Sequence, residues 1–310
     1  MNHSVKLISS FVDLDAFNHT GIAGNPAGVV LDASGLTEQQ MQAIATKAGH
    51  PETAFVSPSD IATVKLDFFT PNRRIAHCGH ATVAALSILA QQGVVGDGEH
   101  SKETVDGLRR LRVQGEKAYL EQIREAVTPV AADYLPRVAD ALGLTTDNLT
   151  RVGMPAVVNI GVSFMVVALP AVADLRQLNP NLGLIESISE ALGLIGFYVI
   201  SPETEVAGRN LSARMFAPYY GIDEEAATGM GAGCAAVYRF ECLGLTETHL
   251  LIEQGRLMAN PSPSLIEAEL EVSGDQVERI WVGGIGKVME LEVSPTDQAM
   301  QAEAMDAAES

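Results

Sequence analysis

The sequence predicts a mixed α and β fold built twice over, and three observations carry this. Short strand-like runs and helix-like runs alternate along the whole chain, with strands the more numerous. Two small-residue helix starts recur 228 − 78 = 150 positions apart. The 310 residues, 47% of them hydrophobic, suffice for one large domain or two of ordinary size.

The elements follow in order. VKLISSFVDLDAF (5–17) reads as a strand, and GNPAG (24–28) as a turn by its composition. In TEQQMQAIATKAGH (37–50), Thr37 and Gln40 have capping-box spacing. Met41, Ile44, Ala45 and Ala48 repeat at helical intervals, and Gly49 is placed to end the helix. ETAFVS (52–57) is a strand. ATVKLDFFTP (62–71) puts Val64, Leu66 and Phe68 on one face and stops at Pro71, which cannot donate to a ladder. Helices follow at 134–144 and 184–194, and strands at 197–201, 211–218, 249–255, 264–272 and 278–284.

The repeat sets CGHATVAALSILAQ (78–91) over TGMGAGCAAVYRFE (228–241), so that Gly79 meets Gly229 and Ala85 meets Ala235. Upstream, FFTP (68–71) matches MFAP (215–218), with the two prolines 218 − 71 = 147 apart. Each half then holds a strand ending in Pro, a Gly-containing turn and a central helix. A glycine in the first turn lets a ligand approach unpaired N–H groups at the positive end of the helix dipole. Two such ends facing each other would grip a carboxylate. The bland alternative is a pair of well-capped core helices.

The formal charge of −19 disfavours nucleic acid as a partner. No apolar run reaches the length of a membrane span, and the first residues lack a signal-peptide pattern, so a cytoplasmic protein is expected. Three cysteines, of which Cys234 and Cys242 share one apolar segment, are expected to be reduced. The last residues, 294–310, carry four acids and no base and are expected to be mobile.

Several residues could carry chemistry. His77-Cys78-Gly79-His80 lacks the second Cys/His pair of a closed zinc site, and His100 and His249 stand alone, so no metal is expected. Cys78 is either a thiolate at a helix N-terminus or a small buried residue. His80 could donate to a substrate or shuttle a proton, or could simply cap and pack. Glu52 is a solvated strand end or a buried acid of raised pKa. Asp223, Glu224 and Glu225 are ordinary dipole complements unless one turns inward. Asn25 could offer its amide to a carboxylate.

Taken together, VDLDAF (12–17), GNPAGVV (24–30), HPETAFV (50–56), FFTP (68–71), CGHATVAAL (78–86), ARMFAP (213–218), GIDEEAATGMGAG (221–233), IEQGRLMANPS (252–262) and WVGGIGKVM (281–289) form an ordered set. The set resembles the phenazine-biosynthesis F (PhzF-like) family of the diaminopimelate epimerase superfamily, from about residue 5 to residue 290. The resemblance implies an α+β fold of two similar domains, each a rolled sheet or barrel around a central helix, with the site between them. The domains would span 1–125 and 126–293, the last strand being free to return to the first domain. It implies a homodimer using no cofactor and no metal, acting as an isomerase that moves a proton between carbons of a small carboxylate. Carried over, Glu52 is the general acid/base, with His80 and Glu225 as further catalytic residues. Asn25, Cys78, Gly79, Thr228, Gly229 and Met230 line the substrate.

Three departures bear on the substrate. Glu225 stands for the family's Asp, Met230 for a Ser, and Arg74 for a Glu. Cys78 occupies the place of the epimerases' first cysteine, but Thr228 occupies the second, which disfavours a two-thiol racemase. Two rivals stay open: a Cys78-dependent epimerase or dehydratase, and a small-molecule binding protein without catalysis.

Overall fold

The structure is a computed structural model that describes residues 4–289; the acidic segment 294–310 lies outside the described residues. Among the described residues, seventeen strands form one continuous sheet that closes on itself twice. Starting from Lys6–Ser10, the first ring runs through Asn25–Val30, Thr53–Ser57, Val64–Phe69, Gly98–Thr104, Gly107–Gln114 and Lys117–Gln122 to Gln276–Ile285. The short continuation Lys287–Val288 pairs back onto Lys6–Ser10 and completes it. The second ring runs from Ala156–Asn159 through Ser163–Ala168, Gly196–Ser201, Leu211–Phe216, His249–Gln254 and Ser264–Ser273 to the same Gln276–Ile285. It closes through Lys117–Gln122 and Ala126–Pro129.

The strand pairings of the two rings have the same senses in the same order: antiparallel, parallel, antiparallel, parallel, antiparallel, antiparallel. The duplication read from two short segments is therefore a duplication of the whole topology. Each ring encloses one helix, α1 (Gly79–Gln91) and α2 (Gly229–Glu241). Residues 81–89 and 231–239 of these helices are buried all round, as expected of helices inside a barrel. The strand alternation feeds two layers. Phe68 points inward to the core around α1, and Phe69 points outward with Phe55 and Val30 under the helix Glu38–Ala48.

Two local expectations are corrected. The segment 5–17 is not one strand: it ends at Ser10, Phe11 adopts φ 54, and Asp13 caps a helix over Leu14–Thr20. The GNPAG stretch turns only at Gly24 (φ 78), and Asn25 already begins a strand. Pro26 fits there because it needs no ladder donor at the strand's start. The capping box of Thr37 with Gln40 and the left-handed Gly49 are as the sequence predicts. No helix among the described residues is long and apolar enough to cross a membrane.

Candidate active site

The N-termini of α1 and α2 open onto one cavity of about 580 Å³ between the two rings. Gly79 and His80 enter its wall from α1, and Thr228, Gly229 and Met230 from α2. Neither N-cap, Cys78 or Thr228, closes its helix with a side-chain hydrogen bond. First-turn N–H groups are thereby left available to an anion. A Cβ added at Gly79 would meet nothing within 4 Å, so the backbone there borders open space.

Of the three consecutive acids, one belongs to the cavity. Asp223 is exposed, and Glu224 forms a bidentate pair with Arg214 at 2.7 and 2.8 Å. Glu225 lines the cavity. It is held by Asn25, whose Nδ2 donates to Glu225 Oε1 at 3.1 Å and to the Ala227 carbonyl at 2.9 Å, and by the Thr228 hydroxyl, which donates to Oε2. Burial raises the Glu225 pKa against the pull of His80, Thr228 and Asn25, and Glu52 adds to the rise.

His80 is the centre of the charged group. Its Nε2 lies 3.5 Å from Glu52 Oε2, and its Nδ1 lies 3.6 Å from Cys78 Sγ. Burial works against its imidazolium, but Cys78, Glu225 and Glu52 outweigh this and raise the pKa to about 10. At neutral pH His80 is then a cation and a donor, paired with Glu52 of the first ring and under the influence of Glu225 from the second.

The other proposed site residues stand one layer back. Glu52 precedes the strand Thr53–Ser57 and is fixed by the bond from Gly28 N to its carbonyl, 2.9 Å. Glu52, Asn25 and Cys78 are not among the wall residues; they reach the cavity through His80 and Glu225. Asn25 spends its amide hydrogens inside the protein, so it positions Glu225. Arg74 lies away from the cavity, paired with Glu38 at 2.9 Å and with Asp67, so this departure leaves the cavity wall unchanged. Met230 is in the wall.

Sequence reasoning missed two supports. Gln254 donates to the Glu225 carbonyl at 2.7 Å, accepts from Thr228 N at 3.2 Å and from Tyr198 at 2.9 Å, and so braces the loop that carries Glu225. Phe11 lines the cavity from its left-handed turn, and a Cβ at Gly229 would come within 3.0 Å of its ring. Only the IEQG motif hinted at Gln254, and nothing local marks Phe11. His249 is not alone: it sits 3.7 Å from Glu267 and 3.9 Å from Glu269, outside the cavity wall. Both carboxylates already have partners, Glu267 in Lys117 and Tyr119 and Glu269 in Arg112. All three cysteines are free.

Comparison with known proteins identifies the family and the fold. The phenazine biosynthesis-like protein family (PhzC-PhzF) matches residues 14–290. An uncharacterized isomerase of Deinococcus radiodurans is 34% identical over 293 residues, covering 91% of this chain and 93% of the relative. The trans-2,3-dihydro-3-hydroxyanthranilate isomerase of Pseudomonas chlororaphis is 29% identical over 288 residues, 89% of this chain and 95% of that protein. Among solved structures, a PhzF-family protein of Bacillus anthracis shares the fold with a TM-score of 0.77 at 24% identity, over 92% of this chain and 96% of the other. The chain belongs to this phenazine biosynthesis-like family of isomerases.

Proposed function

We propose that the protein is a cofactor-independent isomerase that shifts a proton between two carbons of a small carboxylate, with Glu52 as general acid/base. One observation carries the reading: His80, paired with Glu52 and within the electrostatic influence of Glu225, lines the cavity that two uncapped helix N-termini share. The substrate carboxylate binds the first-turn N–H groups. A carboxylate of the enzyme takes a proton from carbon, and the electron pair moves into the conjugated system towards the bound carboxylate. The helix ends and the His80 cation stabilise that charge. The carboxyl group, which exchanges its proton with solvent, delivers a proton to the distal carbon, so the reaction is an isomerisation with no net change in oxidation state.

A second reading concerns which acid touches the substrate. Glu225 lines the cavity and its pKa is raised, whereas Glu52 reaches it through His80. In that version Glu225 carries the proton and Glu52 sustains His80. The two readings separate in D₂O, with wild type, Glu52→Gln and Glu225→Gln incubated with amino acids, hydroxy acids and cyclohexadiene carboxylates. Mass shifts lost in Glu52→Gln and kept in Glu225→Gln support the first. Full incorporation by Glu52→Gln together with loss in Glu225→Gln replaces it by the second. Binding without incorporation by any of the three proteins favours a non-catalytic binding protein.

The reading includes a homodimer in the cytoplasm. Sedimentation at micromolar concentration tests the dimer, and a monomer there removes it.

A further inference from the structure

Lys102 is a buried cation that this mechanism does not use. It lies on the strand Gly98–Thr104 inside the first ring and is 0% exposed. Buried lysines are rare because desolvating an ammonium is costly. Its three hydrogens have three destinations. Nζ is 2.7 Å from Thr82 Oγ1, 3.0 Å from His77 Nδ1, and 5.0 Å from the centre of the Phe68 ring. The Thr82 hydroxyl hydrogen is already given to the Cys78 carbonyl at 2.7 Å, so Thr82 must accept from Lys102.

The same logic fixes His77. An ammonium only donates, so Nδ1 of His77 must accept, and a neutral imidazole that accepts at Nδ1 carries its hydrogen on Nε2. The His77 ring is held edge-to-face against Phe68, with centroids 6.3 Å apart, and it lines the cavity beside Asp106 and Arg109. Burial, with Lys102 and Arg109 adding to it, lowers the His77 pKa to about 3, so the ring is neutral in the working range. Burial lowers Lys102 to about 7, so mildly acidic solution keeps it an ammonium.

We propose that His77 is a substrate-binding donor, held as the Nε2–H tautomer by the positioning residue Lys102, and that it takes an acceptor oxygen on the substrate other than the carboxylate gripped by the helix ends. The substrate class is thereby a carboxylate with a second oxygen function (hydroxyl, carbonyl or carboxylate) on its body. This rests on the reading of the cavity as the substrate site. It is consistent with a cavity of about 580 Å³, which is larger than a single carboxylate needs.

The test uses ring ¹⁵N spectroscopy of the full chain at mildly acid pH, then titration with benzoate and with isophthalate. Isophthalate repeats benzoate's carboxylate and adds a second acceptor. In wild type, His77 should show an unprotonated Nδ1 and a protonated Nε2. Lys102→Met should mix the tautomers. Isophthalate should bind wild type about five- to tenfold more tightly than benzoate, the equivalent of one hydrogen bond. His77→Phe should lose that preference, and Lys102→Met should weaken it. An Nδ1–H tautomer or an imidazolium in wild type overturns the proposal whatever the variants do. Equal affinity for the two probes, with amide shifts at Gly79 and Gly229, overturns it while leaving the isomerase reading intact. The absence of those amide shifts with either probe strikes at the cavity reading itself and removes the proposal with it.

Discussion

Glu52→Gln removes a carboxylate whose Oε2 lies 3.5 Å from His80 Nε2 and keeps the shape of the side chain. Two unit charges at that distance interact by about 1 kcal/mol at the permittivity of water and about 5 kcal/mol at an effective permittivity of 20. The Glu52 side chain is 26% exposed and that of His80 12%, so the true value falls between these limits. At about 1.4 kcal/mol per unit, the His80 pKa should fall by about one to three units from its value of about 10. Cys78 and Glu225 remain, so His80 should stay above the ordinary histidine value. The assay is a ring ¹⁵N titration of His80 in both proteins. Because the folded pKa is raised, the stability that His80 contributes is complete below about 6.5 and is lost as pH rises through about 10. In Glu52→Gln that loss should be complete at a lower pH. A His80 already neutral at pH 7 in wild type, or one titrating identically in both proteins, refutes the charge arrangement from which the mechanism is argued.

Four further outcomes follow from particular contacts. Gly231→Ala places a Cβ 2.3 Å from the Tyr198 ring inside the second barrel, and overpacking of this kind should cost about 1–3 kcal/mol; an unchanged thermal midpoint would contradict the packing. Asp13→Asn breaks a buried set in which Asp13 pairs with Arg209 at 2.7 Å and with Arg256, and should cost about 3–5 kcal/mol by urea unfolding. Burial opposes ionisation of Asp13, yet the two arginines lower its pKa. Its contribution is therefore present above the ordinary carboxylate value and disappears as pH falls through the lowered one; a variant whose acid unfolding matches wild type would show that the set contributes nothing. Met230→Ser should change substrate preference in competition assays with little change in stability, since the side chain lines the cavity; a stability loss without a preference change would make it a packing residue. Cys78→Ala should retain deuterium incorporation if the carboxylates carry the proton, and complete loss would return the thiol reading.

What was legible in the sequence was whatever had a local cause. The helix Glu38–Ala48 announces itself by cap, period and terminal glycine. The strand Val64–Phe69 shows its inward face through Val64, Leu66 and Phe68. The hairpins over 98–122 were harder, because Arg110, Arg112 and Glu121 crowd the outward positions around the inward Leu111, Val113 and Leu120. The site was legible as a set of motifs but not as layers. Spacing cannot say that Asn25 would meet Glu225 from 200 residues away, nor that the salt bridge to Arg214 would take Glu224 and leave Glu225 to the cavity. Lys102 escaped notice because a lysine among alternating polar residues reads as solvent-facing until the barrel closes around it.

The duplication makes the one-sidedness of the site informative. The 150-residue offset sets Gly79 against Gly229, and both serve as helix starts at the cavity. It sets His80 against Met230 and Cys78 against Thr228, so neither the imidazole nor the thiol has a counterpart. Strand registers carry the comparison to Glu52. Thr53 lies opposite Phe69, as Phe197 lies opposite Phe216, which sets Glu52 against Gly196. A Cβ at Gly196 would lie 2.1 Å from the Phe216 carbonyl oxygen, so the second ring has no room for any side chain there. Inversion by matched groups on opposite faces would need equivalent chemistry from both halves. This scaffold keeps the uncapped helix ends in duplicate and the titratable groups in single copy, Glu52 and His80 from the first ring and Glu225 from the loop before α2. That distribution suits a reaction in which a carboxylate is held symmetrically while one cluster, Glu52, His80 and Glu225, handles a single proton.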